Sequence, residues 1–476
     1  MTEETARHGD GNGAVGGGGG DDGHSGGRIG TQEAARRLGV KPETLYAYVS
    51  RGLLDSRRAA GGRGSTFDPG QVAALARRGN KAGAAGGPAA AAPAGTGAGT
   101  RAGTEAGSGV GAGAGTAGDA FRVRTAITLI EPDRFSFRGV DATELAAACS
   151  FEEIAAWLWS GTMRRSVRFE APREQLAAAR AAAASLPAGC GPMDRLRVAV
   201  IAAAAADPLR FDLAPEAVLG TARGLIPTMV DALPPAGEAD PGGGPLPARL
   251  WSRLTTEPPD PAWLRVLDTA LGLLVDHDLA ASTLAARVAA SARAHPYAVV
   301  SAGLGALDGP LHGQTSALAH RMLAEVLERG GAAPVVAAYL RAGQPIPGLG
   351  HRLYRGEDPR ARMLLDLLAR APGAAPALEA ARDLVATAAR HAPLYANVDL
   401  ALAVLSLSRA MPAEAGETVF AVARTVGWIA HALEEYDERP LRMRPSGAYE
   451  GPRPGRPLPA PAPGPGSEPA SRSGEA

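Results

Sequence analysis

The sequence predicts a mainly all-α protein in which a large helical body follows a small helix-turn-helix unit. Long stretches rich in Ala, Leu, Arg and Glu run through the chain without the Val, Ile and Tyr alternation that is typical of strands. Hydrophobic residues make up 45% of the 476 positions, which is enough for a large core. Aromatic residues make up only 4%, so aliphatic side chains have to fill most of that core.

Composition divides the chain into five segments. Residues 1–27 are dominated by glycine and are predicted to be disordered, whereas residues 28–78 have the composition of a small folded unit. Residues 79–120 are almost entirely Ala, Gly, Thr and Pro and are predicted to be a flexible linker. The main body spans residues 121–451, and residues 452–476 form a tail rich in Pro, Gly and Ser that is predicted to be disordered.

Charge, cysteine content and hydropathy argue against a disulfide-rich secreted protein and against a membrane protein. Formal net charge is zero and the pI is near 7.2, so the whole chain has no strong electrostatic preference for a partner. The two cysteines, Cys149 and Cys190, have neither metal-site spacing nor a disulfide pattern, which favours a reduced, cytoplasmic protein. No apolar stretch reaches the ~20 residues that span a bilayer, and the N-terminus has no secretory signal pattern.

The segment 28–78 has the layout of a helix-turn-helix. Residues 31–38 and 42–50 are predicted to form two short helices, with Gly39 in the turn between them and Pro42 in the first turn of the second. In this layout the second helix enters the major groove of DNA. A third helix is predicted at about residues 69–78, where Val72 and Leu75 would pack against the first two.

The same unit is basic. It holds ten Lys and Arg against four Asp and Glu, and its glycine-bent stretch at residues 57–67 is suited to a wing. Through GTQEAARRLGVKPETLYAYVSRGLL and this wing, the unit resembles the MerR/excisionase-type winged helix-turn-helix. The resemblance implies duplex DNA as a partner. The alternatives are a basic unit used for protein contacts and a vestigial domain. The candidate DNA-contacting residues are Lys41, Thr44, Tyr46, Arg51, Arg57, Arg58 and Arg63.

Three short segments of the main body each place an ionisable residue in a turn marked by glycine or asparagine. They are GPLHG around His312, PGLGHR around His351, and NVD ending at Asp399. Two imidazoles and one carboxylate on loops are the groups needed to remove a proton from a carbon next to a carbonyl and to stabilise the enolate. The three residues are therefore the candidate catalytic set, with Asp399 as the base.

The main body is similar to the citrate synthase family, with motifs in family order over residues 121–451. The segments that carry the resemblance are FRVRTAITLIEPDRFSFRGVDATELAAACS, LGLLVDHDLAASTLAARVAASARAHPYAVVSAGLGALDGPLHG, IPGLGHRLYRGEDPRARMLLDLL, NVDLALAVL, VFAVARTVGWIAHALEE and MRPSGAYEG. The resemblance implies a large helical domain, a smaller one at about residues 313–410 that closes over the substrates, and a homodimer. It also implies condensation of acetyl-CoA with oxaloacetate and hydrolysis to citrate and CoA, with no metal and no cofactor beyond the CoA thioester substrate.

The resemblance assigns roles to matched positions. Asp399 would remove the methyl proton of the thioester, His312 would donate to the enolate oxygen, and His351 would polarise the ketone of oxaloacetate. The implied oxaloacetate-binding residues are His277, Arg360, Arg424 and Arg444, the last from the partner subunit, with Phe420 lining the site. The implied CoA-binding residues are Arg355 near the phosphates and Pro347, Gly348, Leu349 and Gly350 around the adenine.

The chain departs from the family pattern after His312. Residues 314–317 read QTSA, where the family usually has Gly-Ala-Asn-Glu or a similar sequence. All the predicted charged and proton-transfer groups are nevertheless present. The alternatives to citrate synthase are 2-methylcitrate synthase, which uses propionyl-CoA, and a DNA-binding regulator whose synthase-like body senses ligands without useful turnover.

Overall fold

The structure is a computed structural model that describes residues 29–38, 40, 54–58, 65–75, 123–237, 244–452, 454 and 458. Contacts divide the chain into two units, residues 1–114 and residues 115–476. The predicted disordered N-terminal segment and the predicted linker lie outside the described residues, as does most of the predicted tail. Their boundaries stay predictions.

The first unit contains a small antiparallel sheet and helical segments. Its elements are β1 (Ile29–Gly30), α1 (Thr31–Leu38), β2 (Ser56–Arg58) and β3 (Ser65–Phe67), with sheet order β1-β3-β2, and residues 69–75 are helical. The predicted first helix coincides with α1, and the predicted wing supplies the β2–β3 pair, in which Arg57 faces Thr66. The predicted second helix at residues 42–50 lies outside the described residues.

A small core holds this unit together. Ala34, Ala35, Leu54, Phe67 and Val72 are buried in one cluster, against which Leu75 packs. The predicted packing of Val72 and Leu75 is therefore confirmed for the side that faces α1, and packing against the second predicted helix stays a prediction.

The second unit opens with a three-stranded antiparallel meander that leads into helices. Its strands are β4 (Thr128–Ile130), β5 (Phe135–Phe137) and β6 (Val140–Asp141). The Asp141 side chain accepts hydrogen bonds from the first turn of α2 (Ala142–Ala148), and Ser150 forms a capping box with Glu153 at the start of α3 (Phe151–Ser160).

The rest of the second unit is helical. The elements are α4 (Arg173–Ala184), α5 (Pro192–Ala205), α6 (Pro215–Ala232), α7 (Leu246–Leu254), α8 (Pro261–Leu274), α9 (Ala281–Ser291), α10 (Pro296–Leu307), α11 (Thr315–Arg329), α12 (Ala333–Arg341), α13 (Pro359–Leu368), α14 (Ala375–Ala389), α15 (Val398–Ser408) and α16 (Ala415–Asp437). Proline stands in the first turn of several of them, where its missing N–H has no helical partner to lose.

The 23-residue helix α16 is central to the larger group of helices. It packs against α6, α8, α9 and α10, and most of its length is buried. A helix that is apolar on nearly every side is stable only when other elements surround it. Burial of an unpaired charge is unfavourable, so the few buried charged residues of this helix, Arg424 among them, each require a compensating interaction.

Helices α11 to α15 form the smaller group. Helix α15 packs against α11, α13 and α14, and α11 also packs against α12 and α14. These helices occupy the range predicted for the closing subdomain. Within the described ranges, no helix is both long and apolar enough to cross a membrane.

Close packing between α10 and α16 yields a stability prediction. A Cβ at Gly303 would lie 2.5 Å from the ring of the buried Trp428, whereas a Cβ at Gly305 on the same helix would meet nothing within 4 Å. Gly303→Ala should lower the free energy of unfolding by about 1–3 kcal/mol through overpacking. Gly305→Ala, the matched control, should leave it unchanged or raise it by up to about 1 kcal/mol through helix propensity. Urea denaturation of both variants checks this, and equal midpoints would contradict it.

Candidate active site

A cavity of about 520 Å³ is lined by seven of the eight residues predicted for catalysis and oxaloacetate binding. Those that line it are His277, His312, His351, Arg360, Asp399, Phe420 and Arg424. They come from segments spread over almost 150 positions of the chain, so the fold, and not sequence proximity, brings them together. Among these seven, two arginines, three imidazoles and one carboxylate thus line a common space.

His312 lies in the tight turn between α10 and α11. The backbone N–H of Gly313 donates to the Leu307 carbonyl at 2.8 Å, and a Cβ on Gly313 would lie only 2.5 Å from that oxygen. Glycine is therefore required beside this histidine. The His312 Nε2 atom is 2.8 Å from the Ser282 hydroxyl of α9. Burial, with Arg424 nearby, lowers the pKa of His312 to about 4.

His351 is oriented by its own loop. Its Nδ1 accepts the backbone N–H groups of Leu353 at 3.1 Å and Tyr354 at 3.4 Å. The proton of the neutral ring is therefore assigned to Nε2, which lies 3.2 Å from an Arg360 Nη2 that can only donate. Burial and then the Arg360 charge lower the pKa of His351 to about 4. With the proton on Nε2, two donors lie 3.2 Å apart, an unfavourable contact that a shared acceptor oxygen would relieve.

Asp399 is the second residue of α15, and the Asn397 side chain caps its backbone N–H at 3.0 Å. One oxygen of its carboxylate, Oδ1, accepts from the Ser316 hydroxyl. The other, Oδ2, accepts from Thr315 Oγ1 at 3.2 Å. Burial raises the pKa of Asp399 above its ordinary value, and the Ser316 hydrogen bond and the Arg360 charge oppose that rise.

The cation of Arg360 is held by a buried carboxylate that sequence reasoning missed. Asp358 accepts from Arg360 Nε at 3.0 Å and Nη2 at 2.8 Å, and also from the backbone N–H of Val398 at 3.1 Å. Burial alone would raise the pKa of Asp358, but the Arg360 guanidinium outweighs it, so the pKa lies below its ordinary value. The available signal was an Asp-Pro pair at a helix start, which is a capping pattern.

Arg424 is buried on α16 with little compensation. Its Nε donates to the Leu274 carbonyl at 3.0 Å, and its guanidinium lies 4.6 Å above the Phe420 ring. Its Nη2 is buried and has no hydrogen-bond partner in the part of the chain that the structure describes. Burial lowers the pKa of Arg424 to about 10. A buried donor without an acceptor is unfavourable unless a ligand supplies one.

His277 follows the end of α8 and is buried. Its Nε2 lies 2.9 Å from the Tyr354 hydroxyl, and its ring centroid is 5.3 Å from that of His351. Burial, then the Arg360 and Arg424 charges, lower the pKa of His277 well below its ordinary value. Tyr354, which contacts both imidazoles, was also missed, because nothing in the sequence links it to position 277.

The predicted CoA-binding residues do not line this cavity. Arg355 lines a neighbouring cavity of about 430 Å³, which shares Asp278 and Leu353 with the first. Pro347, Gly348, Leu349 and Gly350 form a loop in which Gly348 and Gly350 have φ values of 78° and 76°. Leu349 forms a bridge with Ala396, so the loop is attached to the segment that leads to Asp399. Their roles toward CoA stay predictions.

Other predicted residues lie elsewhere. Arg444 is exposed in the segment that follows α16 and is not among the residues that line the cavity. Its role in the site of a partner subunit stays a prediction. Of the DNA-contact candidates, Arg57 is exposed on β2 and Arg58 lies on the same strand. Lys41, Thr44, Tyr46, Arg51 and Arg63 lie outside the described residues.

No group of three or more His, Cys, Asp or Glu residues in the described ranges is arranged to hold a metal ion. The expected absence of a metal and of a cofactor stays a prediction.

Comparisons with known proteins agree with the observed fold. The family model for the citrate synthase C-terminal domain matches residues 118–446. The chain belongs to the citrate synthase family. As a member it is an enzyme of the citrate synthase type, an acyltransferase. A second model, that of the MerR HTH family of regulatory proteins, matches residues 31–77.

Two relatives of this chain are named for two different activities. Citrate synthase 2 of Bacillus subtilis is 30% identical over 349 residues, which cover 69% of this chain and 93% of the relative. A 2-methylcitrate synthase of Mycobacterium tuberculosis is also 30% identical, over 348 residues that cover 69% of this chain and 88% of the relative. The crystal structure of citrate synthase from Thermotoga maritima superposes with a TM-score of 0.58 at 27% identity, covering 72% of this chain and 96% of that one. The predicted all-α synthase fold is thus confirmed.

The lowered pKa values of the two cavity histidines predict their charge state. At pH 7 both His312 and His351 should be neutral, with His351 protonated on Nε2, and each should take up a proton only near pH 4. Because both folded-state pKa values lie below the ordinary 6.5, the unfolded chain binds these protons first. The two groups should therefore lower the free energy of unfolding as pH falls from about 6.5 toward 4.

Nitrogen-15 NMR of the histidine rings measures this directly, with His312→Gln and His351→Gln used to assign the resonances. Imidazolium shifts for either residue at pH 6 would contradict the expected neutral state.

Proposed function

We propose that this chain is a citrate synthase, which condenses acetyl-CoA with oxaloacetate and hydrolyses the thioester to citrate and CoA. The observation that carries the proposal is the meeting of Asp399, His312 and His351 with two buried arginines around one cavity. A base, two neutral hydrogen-bond donors and two guanidinium groups are the parts that this condensation requires.

The first step would be removal of a methyl proton from the thioester by Asp399. A carboxylate removes so weakly acidic a proton only when the enolate is stabilised as it forms. The Ser282 hydroxyl is placed to donate to Nε2 of His312, which leaves the ring proton on Nδ1 for the enolate oxygen. Because the imidazole is neutral, it stabilises the developing charge by hydrogen bonding alone.

The second step would join the enolate carbon to the ketone carbon of oxaloacetate. His351 Nε2 and Arg360 Nη2 lie 3.2 Å apart, so one ketone or carboxylate oxygen that accepts from both donors would relieve their contact. Polarisation of the ketone makes its carbon electrophilic. As the carbon–carbon bond forms, the electron pair of the C=O π bond moves to the ketone oxygen, which takes up a proton to become the hydroxyl group. The resulting thioester would then be hydrolysed by water, which releases CoA. Closure of the smaller helical group over the substrates, as in other lid motions, would exclude water during condensation.

Recognition of a dicarboxylate is supported by the arginines. Arg424 has a buried Nη2 without an acceptor within the described residues, so an anionic oxygen there would satisfy it. Arginine binds carboxylates through two parallel hydrogen bonds, which favours it over lysine for this purpose. We assign oxaloacetate binding to His277, Arg360 and Arg424, with Phe420 against the ligand and Arg444 supplied by a partner subunit of a homodimer.

CoA would be held by Arg355 through its phosphates and by the backbone of residues 347–350 at its adenine. The cavity that Arg355 lines adjoins the catalytic cavity, which is consistent with a long ligand whose thioester end enters the latter. Location in the cytoplasm follows only from cysteine usage and stays part of the proposal.

The acyl group of the CoA thioester distinguishes citrate synthase from 2-methylcitrate synthase. The two activities among the relatives named above occur at equal identity, so identity does not favour one. One methylene in a hydrophobic pocket contributes only ~1–3 kcal/mol of discrimination. Acetyl-CoA is proposed as the preferred substrate, and propionyl-CoA, which would make the chain a 2-methylcitrate synthase, is the alternative.

A thiol-release assay tests the proposal. With oxaloacetate present, the wild type should release CoA faster from acetyl-CoA than from propionyl-CoA. Asp399→Asn should lower kcat by about 10²–10⁴-fold, because the base is lost. Asp366→Asn, at an exposed carboxylate on α13, is the control and should leave kcat unchanged. Faster release from propionyl-CoA would favour the alternative, and no release from either substrate would reject both synthase assignments.

A second candidate function is DNA binding by the N-terminal unit. The match to the MerR HTH family model at residues 31–77 and the exposed Arg57 on the wing favour it. In this view the synthase domain would report ligand occupancy to a DNA-binding domain. Both functions can coexist in one chain, since they reside in separate units.

DNA binding would be visible in a salt titration. The full chain should bind duplex DNA, with an affinity that falls steeply as salt rises, because released counterions drive phosphate binding. Arg57→Ala together with Arg58→Ala should weaken binding and reduce the salt slope, while leaving CoA release unchanged. Absence of binding to a mixed pool of duplexes at low salt, measured by fluorescence anisotropy, would reject this function.

A further inference from the structure

The Asp399 carboxylate is held by two hydroxyls from one short segment. Ser316 donates to Oδ1, and Thr315 donates to Oδ2 at 3.2 Å. Both residues belong to the first turn of α11, which begins three residues after His312. Each carboxylate oxygen accepts about two hydrogen bonds, so one donor on each oxygen fixes the plane of the group and leaves one lone pair free on each.

Thr315 also links this carboxylate to the histidine turn. Its single hydroxyl proton lies between the His312 carbonyl at 2.8 Å and the Asp399 oxygen at 3.2 Å. One side chain therefore contacts the segment of the candidate enolate-stabilising group and the candidate base. The distance between the Asp399 carboxylate and the His312 ring determines whether both can contact one thioester at the same time, the carboxylate at the methyl carbon and the ring at the carbonyl oxygen.

Packing keeps the segment in place. Ser316 is only 2% exposed, and a Cβ on Gly416 of α16 would lie 2.8 Å from the Ser316 Cβ. The hydroxyl thus has little freedom to turn away from Asp399. These two residues fall within the QTSA segment, where the chain departs from the usual family sequence.

We propose that Thr315 and Ser316 are positioning residues, whose hydroxyls orient the Asp399 carboxylate for proton removal and hold it at a fixed distance from His312. The inference rests on the proposed function, since it assigns Asp399 the role of base. The hydroxyls also tune that base: hydrogen bonds to the charged form lower the pKa of Asp399 and oppose the effect of burial. Removing a hydroxyl should therefore raise the pKa of Asp399.

The test compares Ser316→Ala and Thr315→Val with wild type. Proton removal requires the ionised carboxylate, so a higher pKa moves the acid limb of the kcat–pH profile to higher pH. A shift of about one pH unit is expected in each variant, which is about a tenfold loss of kcat at pH values below the limb. Thr315→Ser, which keeps the hydroxyl, should retain the wild-type limb. KM for oxaloacetate should change little.

Ser406→Ala is the matched control. Ser406 is also 2% exposed and lies on α15, the helix of Asp399, but its hydroxyl donates to the Leu402 carbonyl within that helix. If the effect of Ser316→Ala came only from the loss of a buried serine hydroxyl, Ser406→Ala would change the kcat–pH profile by as much. The control should lose at most some thermal stability and keep its pH limb.

A second readout does not depend on turnover. Carbon-13 NMR of protein labelled at aspartate carboxyl carbons, with Asp399→Asn for assignment, gives the titration midpoint of Asp399 in each variant. An inactive wild type whose Asp399 midpoint still rises in Ser316→Ala and Thr315→Val would reject the proposed function and retain the positioning of the carboxylate. An active wild type whose midpoint and pH limb are both unmoved in the two variants would overturn the inference and retain the function.

Discussion

The buried carboxylate of Asp358 joins the two helices on which the candidate site depends. It caps the start of α13, holds the Arg360 guanidinium through two nitrogens, and accepts the backbone N–H of Val398 at the start of α15. Arg360 and Asp399 reach the cavity from these two helices. A single carboxylate thus fixes the position of the cation relative to the base, and it does so from a site that is 1% exposed.

Such a buried ion pair is costly to form and still more costly to break. Desolvation of both charges opposes it, and hydrogen bonds to every remaining lone pair offset that penalty only when the geometry is good. Asp358 meets this condition because backbone N–H groups of α13 and α15 complete its shell. The pair therefore contributes little to net stability. Its main effect is to place Arg360 beside His351, where a ligand oxygen would accept hydrogen bonds from the remaining donors.

Local patterns in the sequence predicted the helical class and the turns that carry the site, because those signals involve neighbouring residues. Gly313 beside His312 is one case, since the turn leaves no room for a side chain there. Contacts between distant segments could not be read in this way. Asp358 meets Val398 across 40 positions, and Thr315 meets Asp399 across 84. A hydroxyl or carboxylate has no periodic signature that points to such a partner, and a contribution from Arg444 would require a second chain.

Burial, and then the charges around the cavity, lower the pKa values of its histidines, and the same charges determine what a ligand would change. In the free protein, burial and the guanidinium groups both disfavour imidazolium, and Arg424 retains a donor without an acceptor in the described residues. An anionic ligand between Arg360 and Arg424 would supply that acceptor and add negative charge beside both rings. It would therefore stabilise the folded chain by mass action and raise the pKa of His351 from its low value in the free site. Ligand charge and histidine protonation are coupled through the same two arginines, so neither can be altered without affecting the other.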